Sequence, residues 1–247
     1  MNDFLVELLN KTHMDQKKLC EDIDSRYNDL IITIEQSLQC ITHLQNTSEI
    51  EVFPVLCELL SRAHKTTHAL ILLCYSGFEL QSLSSLRDLV ETHYLIVYFM
   101  MKPKEMDHWF NSDYKERKKK YSPPILRKII SANNSSLKQS LDQDYSGHST
   151  FTHITPELLK VQNGTNVDKN NERDRRFARV CLTDIAYHIQ AIAYASSHFG
   201  WAITQDDSFN KNTLKLKELN KIISAYQMMG TIPLLEYLEK GNSLSKV

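Results

Sequence analysis

Residues 66–101, TTHALILLCYSGFELQSLSSLRDLVETHYLIVYFMM, contain no proline and a single glycine, Gly77. Apolar residues recur there at steps of three and four, the spacing of a helix that faces a core. At about 100° per residue, Leu73, Leu80, Tyr94, Tyr98 and Met101 share one stripe, and Arg87 and Glu91 fall on that same stripe. The stretch therefore predicts one long central helix with both charges at least partly buried. Breaking a buried ion pair typically costs about 3–5 kcal/mol, whereas a well-packed apolar replacement is often neutral. Stability alone is thus a poor reason to keep such a pair, and the charges mark a candidate site.

Outward from this stretch the chain keeps the same character. Six glycines and six prolines in 247 residues are few, and no alternating strand pattern stands out. The reading is all-α: a single-domain bundle of seven to nine helices, with N-terminal helices over 1–64 packing on a core of 66–200 and C-terminal helices over 201–247. Expected helices cover about 2–12, 15–45, 51–64, 66–101, 104–120, 123–142, 172–200, 211–228 and 232–239, from apolar periodicity and helix-end signals. Residues 144–171, with Gly147, Pro156, Gly164 and several asparagines, form the one long irregular loop in this reading.

Bulk composition narrows the function. Lys and Arg total 29 against 30 Asp and Glu, so no global field draws the chain to nucleic acid or an anionic membrane, and such binding needs a local patch. The longest apolar run, Tyr94 to Met101, is far short of the roughly twenty residues that span a bilayer. The first residues lack the basic start and apolar stretch of a signal peptide, which leads to the expectation of a cytoplasmic protein with no membrane partner. Five widely spaced cysteines without a Cys-x-x-Cys pair argue for reduced thiols.

Several constellations carry potential chemistry. Arg87-Asp88, followed after four residues by His93, suits metal-independent phosphodiester chemistry: an arginine steadies phosphate charge and a histidine moves a proton. The projection places Arg87 and His93 about 120° apart, with His93 on the Leu83, Leu86, Val90, Val97 side. Either long side chains converge across that angle, or a second subunit completes the site, or the pair is a structural tie beside a core histidine. In the 144–171 segment, hydroxyls cluster around His148 and His153. Docked onto the charged helix, His153 would supply a second proton donor or bond the Arg87/Glu91 pair; alternatively, Ser and Thr there cap a helix opened by Thr155-Pro156-Glu157.

Lys118, Lys119, Lys120, Arg127 and Lys128, with Trp109, Phe110, Tyr114 and Tyr121 close by, form a basic and aromatic run that can track a single-stranded nucleic acid or be a solvated helix face. Arg173, Arg175, Arg176 and Arg179 make a second basic cluster, fit for a protein or phosphate partner. His64 and His68 share a helix face but lack the further ligands that zinc requires, and Glu105 and His108 show the Glu-x-x-His spacing of di-iron bundles only once. No metal and no cofactor is expected, and no phosphate-binding, nucleophile-elbow or dinucleotide fingerprint is present.

Two resemblances meet on these residues. Arg87-Asp88 with His93 resembles the Arg, polar residue and downstream His of the HEPN superfamily, all-helical domains that often act as metal-independent ribonucleases in toxin and phage-defence systems. That resemblance implies Arg87 as phosphate stabiliser, Asp88 as its orienting neighbour and His93 as general acid/base, in a site shared across a homodimer. Leu86-Arg87 with Glu91, then Lys102-Pro103-Lys104-Glu105 with Trp109, then Ser149 with His153 and Pro156, resemble an uncharacterised bacterial helical family of the domain-of-unknown-function type. It implies a charged pocket of Arg87, Glu91 and His153. The expected function is therefore a metal-independent RNA endonuclease using Arg87, Asp88, Glu91, His93 and His153, and the alternative is a non-enzymatic interaction and regulatory module with a buried Arg-Glu-His latch.

Overall fold

A computed structural model describes the backbone of residues 3–132, 135–152 and 172–243, and side chains chiefly within 23–132, 137–146 and 178–225. In chain order the elements are α1 (Asp3–Gln45), the 3-10 turn η1 (Ser48–Val52), α2 (Pro54–Tyr75), α3 (Glu79–Met101), α4 (Glu105–Asn111), α5 (Tyr114–Lys120), α6 (Pro123–Ile130), α7 (Ser135–Thr152), α8 (Glu172–Thr204) and α9 (Asp207–Ser243). Among the described residues the fold is all-α, as expected, and none of the helices is long and apolar enough to cross a membrane.

The expected single helix over 66–101 is two helices. Gly77 adopts φ 77°, the left-handed region open to glycine, and its N–H donates to the Cys74 carbonyl at 3.1 Å while Phe78 N–H donates to Leu73 at 2.8 Å. These two bonds close α2 with a Schellman motif, and the chain reverses into α3. Periodicity could not reveal this, because α2 and α3 each bury an apolar face against the same core. Leu73 consequently leaves the α3 stripe, and Met101 is exposed, whereas Arg87 and Glu91 are half-buried as the spacing required. Ser82 Oγ donates to Leu70 O at 2.9 Å and ties the two helices near their turn.

Other boundaries shift for equally local reasons. The expected 104–120 helix breaks at Ser112, whose backbone is extended, and Asp113 caps α5 by accepting from Glu116 N–H at 2.8 Å. Pro54 opens α2 at its first turn and the prolines at 123 and 124 open α6, where the missing N–H costs nothing. The expected 123–142 helix ends at Ile130, and α7 then runs to Thr152, so residues 144–152 are helical rather than loop. The N-terminal break expected near residue 13 is absent; α1 is instead kinked at Tyr27 (φ −123°, ψ 19°). Residues 207–243 form one helix rather than two.

Helix α8 is the centre of the bundle. Ala178, Cys181, Leu182, Ile185, Ala186, Ile189, Ile192 and Ala193 are fully buried, and with buried Thr183, His188 and Gln190 the covered arc exceeds half of the circumference, so α1, α2, α3 and α9 all pack on it. Four cysteines, Cys40, Cys57, Cys74 and Cys181, are free thiols, with Cys181 Sγ 2.9 Å from Ser82 Oγ. Where α8 meets α9, a Cβ on Gly200 would lie 2.4–2.7 Å from three atoms of the Phe209 ring, which is itself fully buried against His43 at 4.5 Å between ring centroids. We predict that Gly200→Ala overpacks this junction and costs about 1–3 kcal/mol. In a chain of this size each kcal/mol lowers the melting midpoint by about 2–4 °C, so thermal unfolding reads the effect directly. An unchanged midpoint would show that Phe209 can move aside freely.

Candidate functional site

Arg87, Glu91, His93 and Tyr94 of α3 face α6, α7 and α8 in two layers. In the outer layer Arg87 Nε donates to Glu91 Oε1 at 2.8 Å, one turn away, and its second terminal nitrogen donates to Tyr145 Oη of α7 at 3.0 Å. The Glu91 hydrogen bond first, with Tyr145 adding to it and burial opposing, holds the Arg87 guanidinium above its ordinary pKa. The π-face of the Tyr145 ring receives Arg127 of α6, whose guanidinium carbon sits 4.2 Å from the ring centroid while Nε donates to Asp142 at 3.0 Å. Only 11% of the Arg127 side chain is exposed. Tyr145 is thus held through its hydroxyl by one arginine and through its π-face by another. A desolvated cation–π contact contributes about 2 kcal/mol, more than an exposed i,i+4 ion pair at about 0.3–0.5 kcal/mol.

The inner layer is drier. Tyr94 of α3 is 1% exposed and donates to Asp144 Oδ2 at 2.9 Å; Asp144 Oδ1 faces His188 Nε2 of α8 at 3.5 Å. His188, fully buried, places its Nδ1 3.0 Å from His93 Nδ1. With His188 presenting Nε2–H alone to Asp144, its Nδ1 is an acceptor and His93 donates Nδ1–H to it. Burial first, and His188 second, draw His93 down to about 3, against the opposing pull of Asp144. Burial, then Asp144, hold the Tyr94 hydroxyl well above the usual phenol range, and burial pushes Tyr187, which meets His93 edge-on, up to about 12. Tyr94 therefore remains a donor across the working pH range.

The structure brings some of the expected residues together and separates others. Arg87 and Glu91 pair. Asp88 turns the opposite way, forming an ion pair with Arg62 of α2 and accepting from Thr66 Oγ1 at 3.0 Å, so it orients Arg62 rather than Arg87. His93 points inward to α8, with Leu83, Leu86 and Val90 buried beside it, and its ring is engaged by His188 rather than by the Arg87 layer. His153 lies outside the described residues, as do the side chains of Arg173, Arg175 and Arg176.

Of the basic run, Lys118, Lys119 and Lys128 are exposed, Lys120 pairs with Glu116 at 3.1 Å, and Arg127 belongs to the outer layer. Glu105 and His108 both engage the Tyr121 hydroxyl, at 2.8 and 2.6 Å, and His64 stacks on His68 at 4.7 Å. No group of three or more metal-binding side chains occurs among the described residues.

Sequence reasoning did not assign a role to Asp142, Asp144, Tyr145, Tyr187 or His188. The signal was present for two of them: read as a helix, residues 141–145 put Leu141, Asp144 and Tyr145 on one face at i, i+3 and i+4, and Leu141 is indeed buried. No family model, curated protein or solved structure matches the chain.

Proposed function

We propose that the protein is a non-enzymatic helical interaction module whose α7 is latched onto α3, α6 and α8 by the two polar layers. One observation carries this reading: His93 is 6% exposed, bonded to His188 and held neutral, so it offers neither a proton at pH 7 nor a surface to a substrate. Arg87 is likewise committed to Glu91 and Tyr145. Arg87, Asp88, Glu91 and His93, the described groups that would serve phosphodiester cleavage, are engaged in holding helices, and the output left to the fold is recognition of a partner on its surface.

The test uses the purified chain with single-stranded RNA in EDTA, beside Arg87→Ala and His93→Ala. Intact RNA with all three proteins, together with a lowered melting midpoint for His93→Ala, is the expected result. Arg87→Ala, removing a half-exposed pair and one tyrosine contact, is expected to cost only about 1 kcal/mol. Cleavage by the wild type that disappears in a folded His93→Ala variant would replace this proposal with a metal-independent endonuclease.

A further inference from the structure

Helix α5 has no buried residue, and its stability comes from its ends: the Asp113 cap, the buried Tyr121 that follows it, and Arg117 donating to Ser112 O at 2.8 Å. Tyr114, Lys118, Lys115 and Lys119 fall within an arc of about 140° on α5, and all four are exposed. Tyr114 is 70% exposed, and Phe110, four residues earlier across the Ser112-Asp113 turn, is 63% exposed. Between Lys102 and Lys120 there are seven basic residues against four acidic. Three of those acids are already engaged: Glu105 by Tyr121, Glu116 by Lys120, and Asp113 by its own helix. Lys115, Lys118 and Lys119 form no ion pair among the described residues. Two exposed rings and three ammonium groups without ion pairs, all within residues 110–119, are the complement of a strand that offers phosphates and unstacked bases together. An acidic protein segment would use the lysines and leave the rings idle.

We infer that this α4–α5 face binds single-stranded nucleic acid, with Phe110 and Tyr114 as stacking platforms and Lys115, Lys118 and Lys119 on the phosphates. The inference rests on the reading of the protein as an interaction module and supplies its partner. The near-neutral chain, at net charge −1, adds no long-range field, so the electrostatic contribution is local and small.

The experiment is a fluorescence-anisotropy titration of the full chain against a labelled single-stranded RNA of mixed sequence. Three phosphate contacts predict a logarithmic salt slope of about −2, or about a twentyfold loss of affinity from roughly 50 to 200 mM salt. Lys118→Glu with Lys119→Glu is expected to weaken binding and cut that slope to about −0.7. Phe110→Ala with Tyr114→Ala is expected to weaken binding by about tenfold or more at an unchanged slope. All four side chains are exposed, so the circular-dichroism melt of each double variant should overlay the wild type. Wild-type affinity in either double variant overturns the assignment. So does competition by polyglutamate that is indifferent to the aromatic pair, which would assign the face to an acidic protein. Cutting of the RNA probe, read on a gel, would strike the module proposal alone, because these surface variants judge the binding face independently.

Discussion

Asp144→Ala is expected to lower the unfolding free energy by about 3 kcal/mol, because it strips a charged acceptor from a buried donor. Asp144 receives the Tyr94 hydroxyl at 2.9 Å and faces His188 Nε2 at 3.5 Å, and Tyr94 and His188 are both essentially inaccessible to water. Without the carboxylate, the Tyr94 oxygen loses its acceptor inside the core, and His188 loses the group that fixes its tautomer. The midpoint should fall by about 6–12 °C in a chain of this length. Asp144→Asn provides the internal contrast. Its carbonyl still accepts from Tyr94, but its amide presents a donor where His188 presented one, so His188 must shift its proton to Nδ1 and His93 must become the acceptor. Because that reversed chain keeps every bond, Asn should retain most of what Ala loses. A cost for Asn as large as for Ala would mean that the negative charge, not the hydrogen-bond chain, holds the layer.

How far these layers could be foreseen depends on the distance over which their partners are separated in the chain. The all-α class followed from sparse glycine and proline and held. The Arg87–Glu91 pair was legible because i,i+4 spacing on one helix is a local property, and the 2.8 Å bond matches it. His93 was correctly placed on the Leu83, Leu86, Val90 side by the same projection. What it meets there was not legible: His188 is 95 residues away, and no periodicity links the two.

Asp88 shows the same limit from the other direction. Adjacent to Arg87 in sequence, it lies about 100° around the helix from it, and Arg62, 26 residues earlier, captures it. Gly77 was visible but ambiguous, since a lone glycine inside a periodic stretch can be either tolerated or used as a stop. Only the tertiary contact of α2 with α3 decides for the stop. Residues 144–152 read as part of a loop because Gly147, Pro156, Gly164 and several asparagines mark the stretch 144–171 as irregular. Their helix is held by what Asp144 and Tyr145 contact on three other helices, a case of tertiary packing overriding weak local propensity.

The acid limb of stability provides the second large effect. Folded His93 stays neutral down to about 3, whereas in the unfolded chain a histidine binds its proton below about 6.5. Between those values the unfolded state holds more protons, so stability is complete above about 6.5 and is lost as pH falls toward 3. At pH 5 the loss amounts to about 2 kcal/mol, before most carboxylates titrate. The groups that face the ring are His188 and Tyr187 from α8, Asp144 from α7 and Tyr94 on its own helix. Of these only Asp144 favours the charged form, and burial outweighs it. Wild type is therefore expected to lose about 4–8 °C more in melting midpoint than His93→Gln between pH 7.5 and about 5. His64, lowered by burial and by His68, acts in the same direction, so His64→Gln belongs beside it as a control. If His93→Gln and wild type instead decline in parallel, His93 takes up its proton in the folded state near neutral pH. A proton donor would then stand in the α3–α8 interface at working pH, and the observation on which the non-enzymatic proposal rests would be gone.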